Sequence, residues 1–539
     1  MIVLGDISGI QSYLFDVAEA GGGQARRLRA RSFFIQLLAE AAALRVLRAL
    51  EWPIDSDHFV LSGAGKFLLR GPSSPQNDKQ LESVEQEMSA WLLKEARGEL
   101  RVSLAAAEIE VSETAAYMAA LASLERKKLR SWSPLQTQSW DPTHLVLDPL
   151  DQPCALCGHA KAAKHETDSD TGNQRKVCDR CAADHDMGRR LPQAKWLVIS
   201  HSLTQADYQA FDLGFNLSTE RVVEITPRTV KVANLVEPET RPDWCPADRF
   251  LNRRLIAYVP TEKGQPVWFT DLARKSRGDC LLAVLKADVD WLGRAFSQLL
   301  SSNTELTPVS RFSDELDEFF SGQLKQEMEA GSDSRWRSIY TIFSGGDDLL
   351  LIGPWDVMAD FAGRVQGLFD QKFRSRDLTL SAGMALIKPK RPVKNAVAET
   401  AGLLEQAKAG GGAGPEGKNR FAAFGQVWKW EHHETILNCA RQLANWVTQG
   451  KAQRGWLHTL LQLAEARRGD PERDKSPDLL ATSRLAYHVS RNYAPNSDIR
   501  RWGDKLMERF DNLDDPEVHY LPAILRYALT ATRAPREED

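Results

Sequence analysis

The stretch IFSGGDDLLLIGP, residues 342–354, sets two glycines and two acids between aliphatic runs, the pattern of two buried strands joined by a tight polar turn. An earlier stretch, VLSGAGKFLLRGP at residues 60–72, has the same build without the acids. The segments ahead of them match as well. IVLGDISGIQSYLF precedes the first and LAVLKADVDWLGRAF the second, each a short apolar strand that ends in an acid and runs into a helix. Asp6 and Lys66 are sixty residues apart, and so are Asp288 and Asp348. Two motifs in the same order at the same spacing predict a duplicated α/β (α+β) unit. In it, a first strand pairs beside a hairpin, and helices cover one face.

Only the second copy keeps its acids. With Asp288 at the end of a buried strand beside the turn that carries Asp347 and Asp348, three carboxylates converge. Such groups repel one another unless they bind protons or a cation. Hard divalent ions such as Mg(II) or Mn(II) relieve that repulsion and bring phosphates with them. Gly345 and Gly346 have no side chains, so a triphosphate can approach the backbone. DD after GG is also an ordinary polar hairpin turn, but the strand-end acid and the acid-free duplicate weigh against that reading. Asp290 shares a strand face with Asp288 and is either a further ligand or a cap for the next helix. Asp6 has the same choice between contacting a hydroxyl or metal and capping a helix.

Four of the seven cysteines form CALC (Cys154, Cys157) and CDRC (Cys178, Cys181) with twenty residues between the pairs. Two CxxC turns present four thiolates to one Zn(II), leaving no open position, so the site is structural and its binding energy is folding energy. Paired disulfides are the competing reading, with nothing to indicate an oxidising compartment. His159 and His165 lie in the intervening loop as competing ligands or solvated side chains. Cys245, Cys280 and Cys439 are isolated, as buried thiols are.

At 539 residues the chain is too long for one core, and roughly three or four domains of about 100–200 residues are expected. No apolar run of about 18 residues is present, and MIVLGDISGIQ lacks the basic lead and cleavage site of a secretion signal, so a cytoplasmic protein is expected. A net charge of −4 argues against whole-molecule attraction to nucleic acid. Arg26, Arg27, Arg29 and Arg31 form the densest basic cluster, with IKPKRPVK at 387–394 second. Each is either a phosphate contact or a solvated surface.

DISGIQ with RRLRARSFFIQLL, the CxxC pairs, LKADVDWLGRAF, FSGGDD, LTLSAGMALIKPKRPVKNAVAETAGLLEQAK and GKNRFAAFG follow one another in this order. This set resembles the large polymerase subunit of type III CRISPR effector complexes. The resemblance covers most of the chain. It implies two palm domains related to nucleotide cyclases and GGDEF proteins, synthesis of cyclic oligoadenylate messengers from ATP, and activation when the complex captures target RNA. The implied partners are other subunits of a prokaryotic complex and, through them, guide and target RNA, with no membrane. Many relatives carry an N-terminal HD nuclease domain. Here the first copy begins within six residues of the start, so that activity is expected to be absent.

The resulting layout is a first palm-like domain at 1–147, a zinc-binding linker domain at 148–275, a second palm with GGDD at 276–425, and a helical bundle at 426–539 that includes ILNCARQLANWV, LHTLLQLAEARR and LPAILRYALTATR. Asp288, Asp347 and Asp348 would hold metal, Ser344, Gly345 and Gly346 would line one nucleotide, and Lys408 and Lys418 would meet its triphosphate. Ser62, Gly63, Ala64 and Gly65, with Lys66, would cradle a second nucleotide without activating it. GAGPEGKN at 412–419 mimics a phosphate-binding P-loop, but Asn419 replaces the required hydroxyl residue and no buried strand precedes it. His432, His433 and the DHD at 184–186 lack a hydrolytic partner set. The alternatives are a diguanylate-type or mononucleotide cyclase, or a scaffold without catalysis.

Overall fold

In the computed structural model the sixty-residue spacing becomes a strand register. The structure describes residues 1–15, 23–55, 57–63, 65–136, 151–167, 172–201, 204, 206–220, 222–255, 258–345, 348–409, 417–469 and 476–534. Strands β1 (Ile2–Ser8), β2 (Phe59–Gly63), β3 (Lys66–Arg70) and β4 (Arg101–Ala107) form an antiparallel sheet in the order β2-β3-β1-β4. Helices α1 (Ile10–Phe15) and α2 (Gln24–Ala49) follow β1, α3 (Asn77–Ala96) follows β3, and α4 (Glu113–Lys128) follows β4.

The insert contains a hairpin, β5 (Lys164–Thr167) with β6 (Gln174–Val177), then α5 (Asp179–Arg190). A four-stranded antiparallel sheet follows, made of β7 (Trp196–Ser200), β8 (Tyr208–Ala210), β9 (Leu213–Ser218) and β10 (Thr229–Asn234) in the order β10-β7-β9-β8. The sequence reading has this stretch only as part of a zinc-binding linker and does not predict a sheet in it. Strands of three to six residues are too short for a periodicity argument, although they bury Leu197, Ile199, Phe215 and Val232. A two-residue pair, β11 (Thr261–Glu262) with β12 (Gln265–Pro266), and α6 (Phe269–Arg274) lead onward.

The last sheet comprises β13 (Leu282–Asp290), β14 (Tyr340–Gly345), β15 (Asp348–Pro354), β16 (Thr379–Ile387), β17 (Arg420–Ala423) and β18 (Gln426–Lys429), ordered β14-β15-β13-β16-β17-β18. Its first four strands repeat the order of the first sheet. Between β13 and β14 run α7 (Leu292–Ser302), α8 (Thr307–Asp317), a π-helical turn at Glu318–Gln323 and α9 (Leu324–Ala330). Helix α10 (Trp355–Phe373) follows β15, and α11 (Val393–Ala409) follows β16. The C-terminal helices are α12 (His433–Thr448), α13 (Arg454–Arg468), α14 (Ala481–Asn492), α15 (Asp498–Arg509), α16 (Pro516–His519) and α17 (Leu521–Ala531).

The two sheets agree residue by residue. Asp6 lies opposite Lys66 across β1 and β3, and Asp288 opposite Asp348 across β13 and β15. Gly63 with Lys66, and Gly345 with Asp348, close the two hairpins. Each outer strand shifts register at the same point, between Phe59 and Leu61 and between Thr341 and Phe343. A single offset of 282 residues carries every one of these positions onto its counterpart.

Helices cover both faces of each sheet, not one as expected. Along β13, Ala283, Leu285 and Ala287 join the core of α10 and the C-terminal helices, so the second sheet and those helices share one core. Leu282 and Val284, which point the other way, join the core that contains α11 and much of the first half. Among the described residues no helix is long and apolar enough to cross a membrane.

Candidate functional site

Alternation along β13 puts Lys286, Asp288 and Asp290 on the face that looks toward α11 and the first half. Asp288 and Asp348 are direct cross-strand neighbours, a pair whose Cβ atoms stand about 5 Å apart in an antiparallel ladder. Like charges so placed need a cation. Lys408, in the last turn of α11, brings its Nζ to 2.5 Å from Asp288 Oδ2. Burial lowers the pKa of this lysine, but the contact with Asp288 outweighs it and the net shift is upward. Asp347, Gly346 and Ala64 lie outside the described residues.

Asp290 does not cap the following helix, which corrects that reading. It is fully buried, and its Oδ2 accepts hydrogen bonds from Thr379 Oγ1 at 2.8 Å, Ser381 Oγ at 2.8 Å and the Asn419 backbone N–H at 3.0 Å. It thereby pins the GKN corner. Asn419 takes a left-handed φ of 62° there, and Lys418 lies with its Nζ 4.3 Å from the centre of the Trp291 ring. So Lys408 meets Asp288 directly, whereas Lys418 is held beside the residue that follows Asp290.

A cavity of about 200 Å³ joins the two halves. Lys66 lines it from the first hairpin, Gly345 and Asp348 from the second, Lys286 from β13, and Ile10 and Leu14 from α1. Gly65 turns the first hairpin with φ +82°, where a Cβ would lie 2.4 Å from Ile10 Cδ1. Gly63 is exposed, and Ser62 is half-buried. In the second hairpin Ser344 is buried and donates through its hydroxyl to the Phe320 carbonyl at 2.6 Å, so that hydroxyl is engaged by the π-helical turn.

Four residues at or behind this site escaped the sequence reading. Lys286 is two positions from Asp288, and strand alternation would have exposed it. Lys128, in the last turn of α4, reaches Asp6 at 3.2 Å, so Asp6 is ion-paired instead of capping a helix. That pair reproduces Lys408 with Asp288, and comparing the helix ends of the two copies would have found it. Asp317 Oδ1 lies 3.8 Å from where a Gly345 Cβ would stand and accepts a hydrogen bond from Ser321 Oγ at 3.2 Å. Burial raises its pKa. Glu40, buried beside Ser62, is raised in the same way.

Cys154, Cys157, Cys178 and Cys181 gather with all four sulfurs within 4.8 Å of one another. Cys157 and Cys178 Sγ are 3.9 Å apart, close to the sulfur separation of about 3.8 Å that follows from metal–sulfur bonds of about 2.3 Å in a tetrahedron. The donor set therefore fits a structural metal. His159 and His165 are exposed outside it, and His159 sits 3.4 Å from Glu99. Cys245 is buried, whereas Cys280 and Cys439 are only half-buried.

Neither reading of the first basic cluster holds. Arg27, Arg29 and Arg31 are 0%, 4% and 3% exposed, so they face neither solvent nor a nucleic acid. Arg26 lies over the Trp268 ring. Lys388, Lys390 and Lys394 of IKPKRPVK are exposed, and Arg391 pairs with Glu399 at 2.8 Å. Asp184 and His185 of the DHD are engaged with arginines, and His433 is buried.

A family model described as Cas10/Cmr2, second palm domain, matches residues 281–422, and one described as Csm1 subunit domain B matches residues 1–140. The CRISPR system single-strand-specific deoxyribonuclease Cas10/Csm1 (subtype III-A) of Thermococcus onnurineus is 25% identical over 579 residues, covering 99% of this chain and 70% of its own. Its counterpart in Mycobacterium tuberculosis is 25% identical over 585 residues, covering 99% and 67%. In fold, the chain is similar to the Csm1-Csm4 subcomplex of the type III-A CRISPR-Csm interference complex, with a TM-score of 0.72 at 20% identity over 99% of this chain and 70% of that one. It is also similar to the Csm1-Csm4 cassette in complex with cA4, with a TM-score of 0.69 at 19% identity over 99% and 70%. By both sequence and fold, this chain belongs to the Cas10/Csm1 family of type III CRISPR large subunits.

Proposed function

We propose that this chain joins ATP molecules into cyclic oligoadenylates within a type III CRISPR complex, switched on by bound target RNA. One observation carries the reading. Asp288 lies directly across the ladder from Asp348, which lines the cavity between two matching sheets, while the same two positions of the other sheet hold Asp6 and Lys66. The first palm (1–147) then seats a nucleotide, the second (276–425) activates its partner, the region 148–275 carries the zinc site, and 426–539 docks neighbouring subunits.

Asp288, Asp347 and Asp348 supply hard oxygen donors for Mg(II) or Mn(II), with Asp288 released from Lys408 when the site fills. The bound ions supply the acidity that makes a 3′-hydroxyl nucleophilic and neutralise the leaving pyrophosphate. Lys408, once released, meets the triphosphate, and Lys418 meets it from the GKN corner that Asp290 fixes. Gly345 and Gly346 let phosphate approach the backbone, with Ser344 behind them. Gly63, Ala64 and Gly65 bring little or no side chain to the first hairpin, so a phosphate can approach its backbone there as well, with Ser62 beside it and Lys66 as its positive charge. Cys154, Cys157, Cys178 and Cys181 hold Zn(II) away from the reaction. Relatives solved with one ATP and with cA4 support this assignment of substrate and product.

The test supplies labelled ATP or GTP with Mn(II) or Mg(II) to the assembled complex, with and without target RNA, and compares Asp347→Ala/Asp348→Ala. RNA-dependent adenylate rings that vanish in the double variant are expected. Guanylate rings would point to a diguanylate-type cyclase. No product from an RNA-loaded complex would leave a scaffold.

A further inference from the structure

The outer strands of the two hairpins, β2 and β14, are edge strands of their sheets among the described residues, and one segment of the insert touches each. Leu251 ties this segment to the insert sheet, its N–H donating to the Val232 carbonyl of β10 at 2.9 Å. Arg253 then lies with its guanidinium 5.3 Å from the centre of the Phe59 ring on β2. Its Nε stands 3.6 Å from Oε1 of Glu40, the buried acid beside Ser62. Tyr258 offers its carbonyl to the Thr341 N–H of β14 at 2.9 Å. Phe59 and Thr341 are equivalent positions in the two copies, the points at which each outer strand shifts register.

Arg254 reaches the support of the second hairpin. Its Nη2 lies 2.8 Å from Glu318 Oε2 and 2.6 Å from Glu239 Oε1. Glu318 opens the π-helical turn whose Phe320 carbonyl takes the Ser344 hydroxyl. The turn leaves room for that acid, since a Cβ on Gly322 would stand 2.6 Å from Glu318 Oε1. Burial raises the pKa of Asp314 and Asp317 in the last turn of α8, and the charge of Arg253 counters it. Duplication supplies a hairpin to each half, whereas this strap is a single segment that engages both.

We propose that Arg253 and Arg254 are positioning residues for the joining of two nucleotides, because the strap they anchor fixes the separation of the hairpins that close at Gly63 and Gly345. The role rests on the function proposed above. Joining requires reacting atoms held about 3–3.5 Å apart, and a displacement of about 1 Å costs about a hundredfold in rate. Both arginines contact acids of the supporting helices, so they act on that separation and leave the affinity of each nucleotide seat alone.

Two readouts test it. The first needs no activity: hydrogen exchange of the full chain as wild type, Arg254→Gln and Arg254→Lys. The ion pairs of Arg254 are with Glu239 and Glu318, so Arg254→Gln should speed exchange of β14 and, through the strap, of β2 as well, each by about threefold or more. Helix α13 should stay unchanged, and Arg254→Lys should remain close to wild type. Faster exchange confined to β14, or none, overturns the proposal. The second readout is adenylate joining by the assembled, RNA-loaded complex. Arg253→Gln and Arg254→Gln should each lower kcat about tenfold or more while the KM for ATP stays within about twofold, and Arg253→Lys and Arg254→Lys should recover most of the rate. A raised KM with unchanged kcat, or wild-type kinetics, would refute the positioning role and leave the proposed reaction standing. Absence of product from the wild-type complex would remove the reaction and the role with it.

Discussion

Replacing Lys408 by methionine should strengthen metal binding in the absence of nucleotide while weakening ATP, and the opposite signs make the experiment decisive. The ammonium stands 2.5 Å from Asp288 Oδ2, with the two side chains 22% and 19% exposed. Unit charges about 4 Å apart at an effective dielectric constant of about 20 attract by roughly 4 kcal/mol. Partial exposure screens that figure, and Lys408 has a second acid to turn to, Glu405 at 4.0 Å. About 1–2 kcal/mol should therefore oppose an incoming cation, a factor of roughly 5–30 in affinity. Mn(II) binding to the nucleotide-free chain, followed by electron paramagnetic resonance of the free ion, should tighten by that factor in Lys408→Met and be lost in Asp288→Asn. The KM for ATP should rise in Lys408→Met, because the released lysine no longer meets the triphosphate. Unchanged or weaker Mn(II) binding would refute the view that lysine and metal compete for one carboxylate.

Two further outcomes follow from buried polar groups. His433 accepts from Trp428 Nε1 at 3.2 Å, and burial lowers its pKa from 6.5 to about 4; the unfolded chain therefore takes the proton first as pH falls. Stability contributed by the neutral ring is complete above pH 6.5 and is lost toward pH 4, by up to about 3 kcal/mol, so urea unfolding at pH 7.5 and 4.5 should show a steeper loss in the wild type than in His433→Gln. Asp290→Ala strips Thr379, Ser381 and the Asn419 N–H of their shared acceptor and should cost about 2–4 kcal/mol, visible in thermal melts; a loss under about 1 kcal/mol would show that water replaces the carboxylate.

The duplication was legible because a cross-strand register is a difference between sequence positions: sixty residues from Asp6 to Lys66 and from Asp288 to Asp348 place both pairs face to face. The cysteine cluster was legible for a similar reason, since local CxxC geometry delivers two sulfurs at a time. What failed was the reading of charge. Four arginines within six residues of α2 look like a surface because burying a guanidinium is costly. Their partners, Glu166, Asp184 and Tyr340, lie more than a hundred residues away, where no local pattern reveals them. Asp290 misled for the same reason, its hydroxyl donors arriving with β16.

The lysine pairs sharpen the division of labour between the halves. Asp6 with Lys128 and Asp288 with Lys408 occupy matching places, an acid at the first strand met by the last turn of the helix after the fourth strand. That acid–base contact is therefore common to both units and cannot by itself distinguish a metal site. The difference lies one residue across the ladder, where Lys66 stands in one sheet and Asp348 in the other. With Lys66, Asp6 faces two ammonium groups and offers nothing to a divalent ion, but the surplus positive charge suits a phosphate. With Asp348, a carboxylate takes the place of that cross-strand ammonium, and the added negative charge is what a metal ion would neutralise. A change of two charge units at one cross-strand position is enough to turn an anion-binding hairpin into a cation-binding one, with the backbone, the first-strand acid and the helix lysine left as they were.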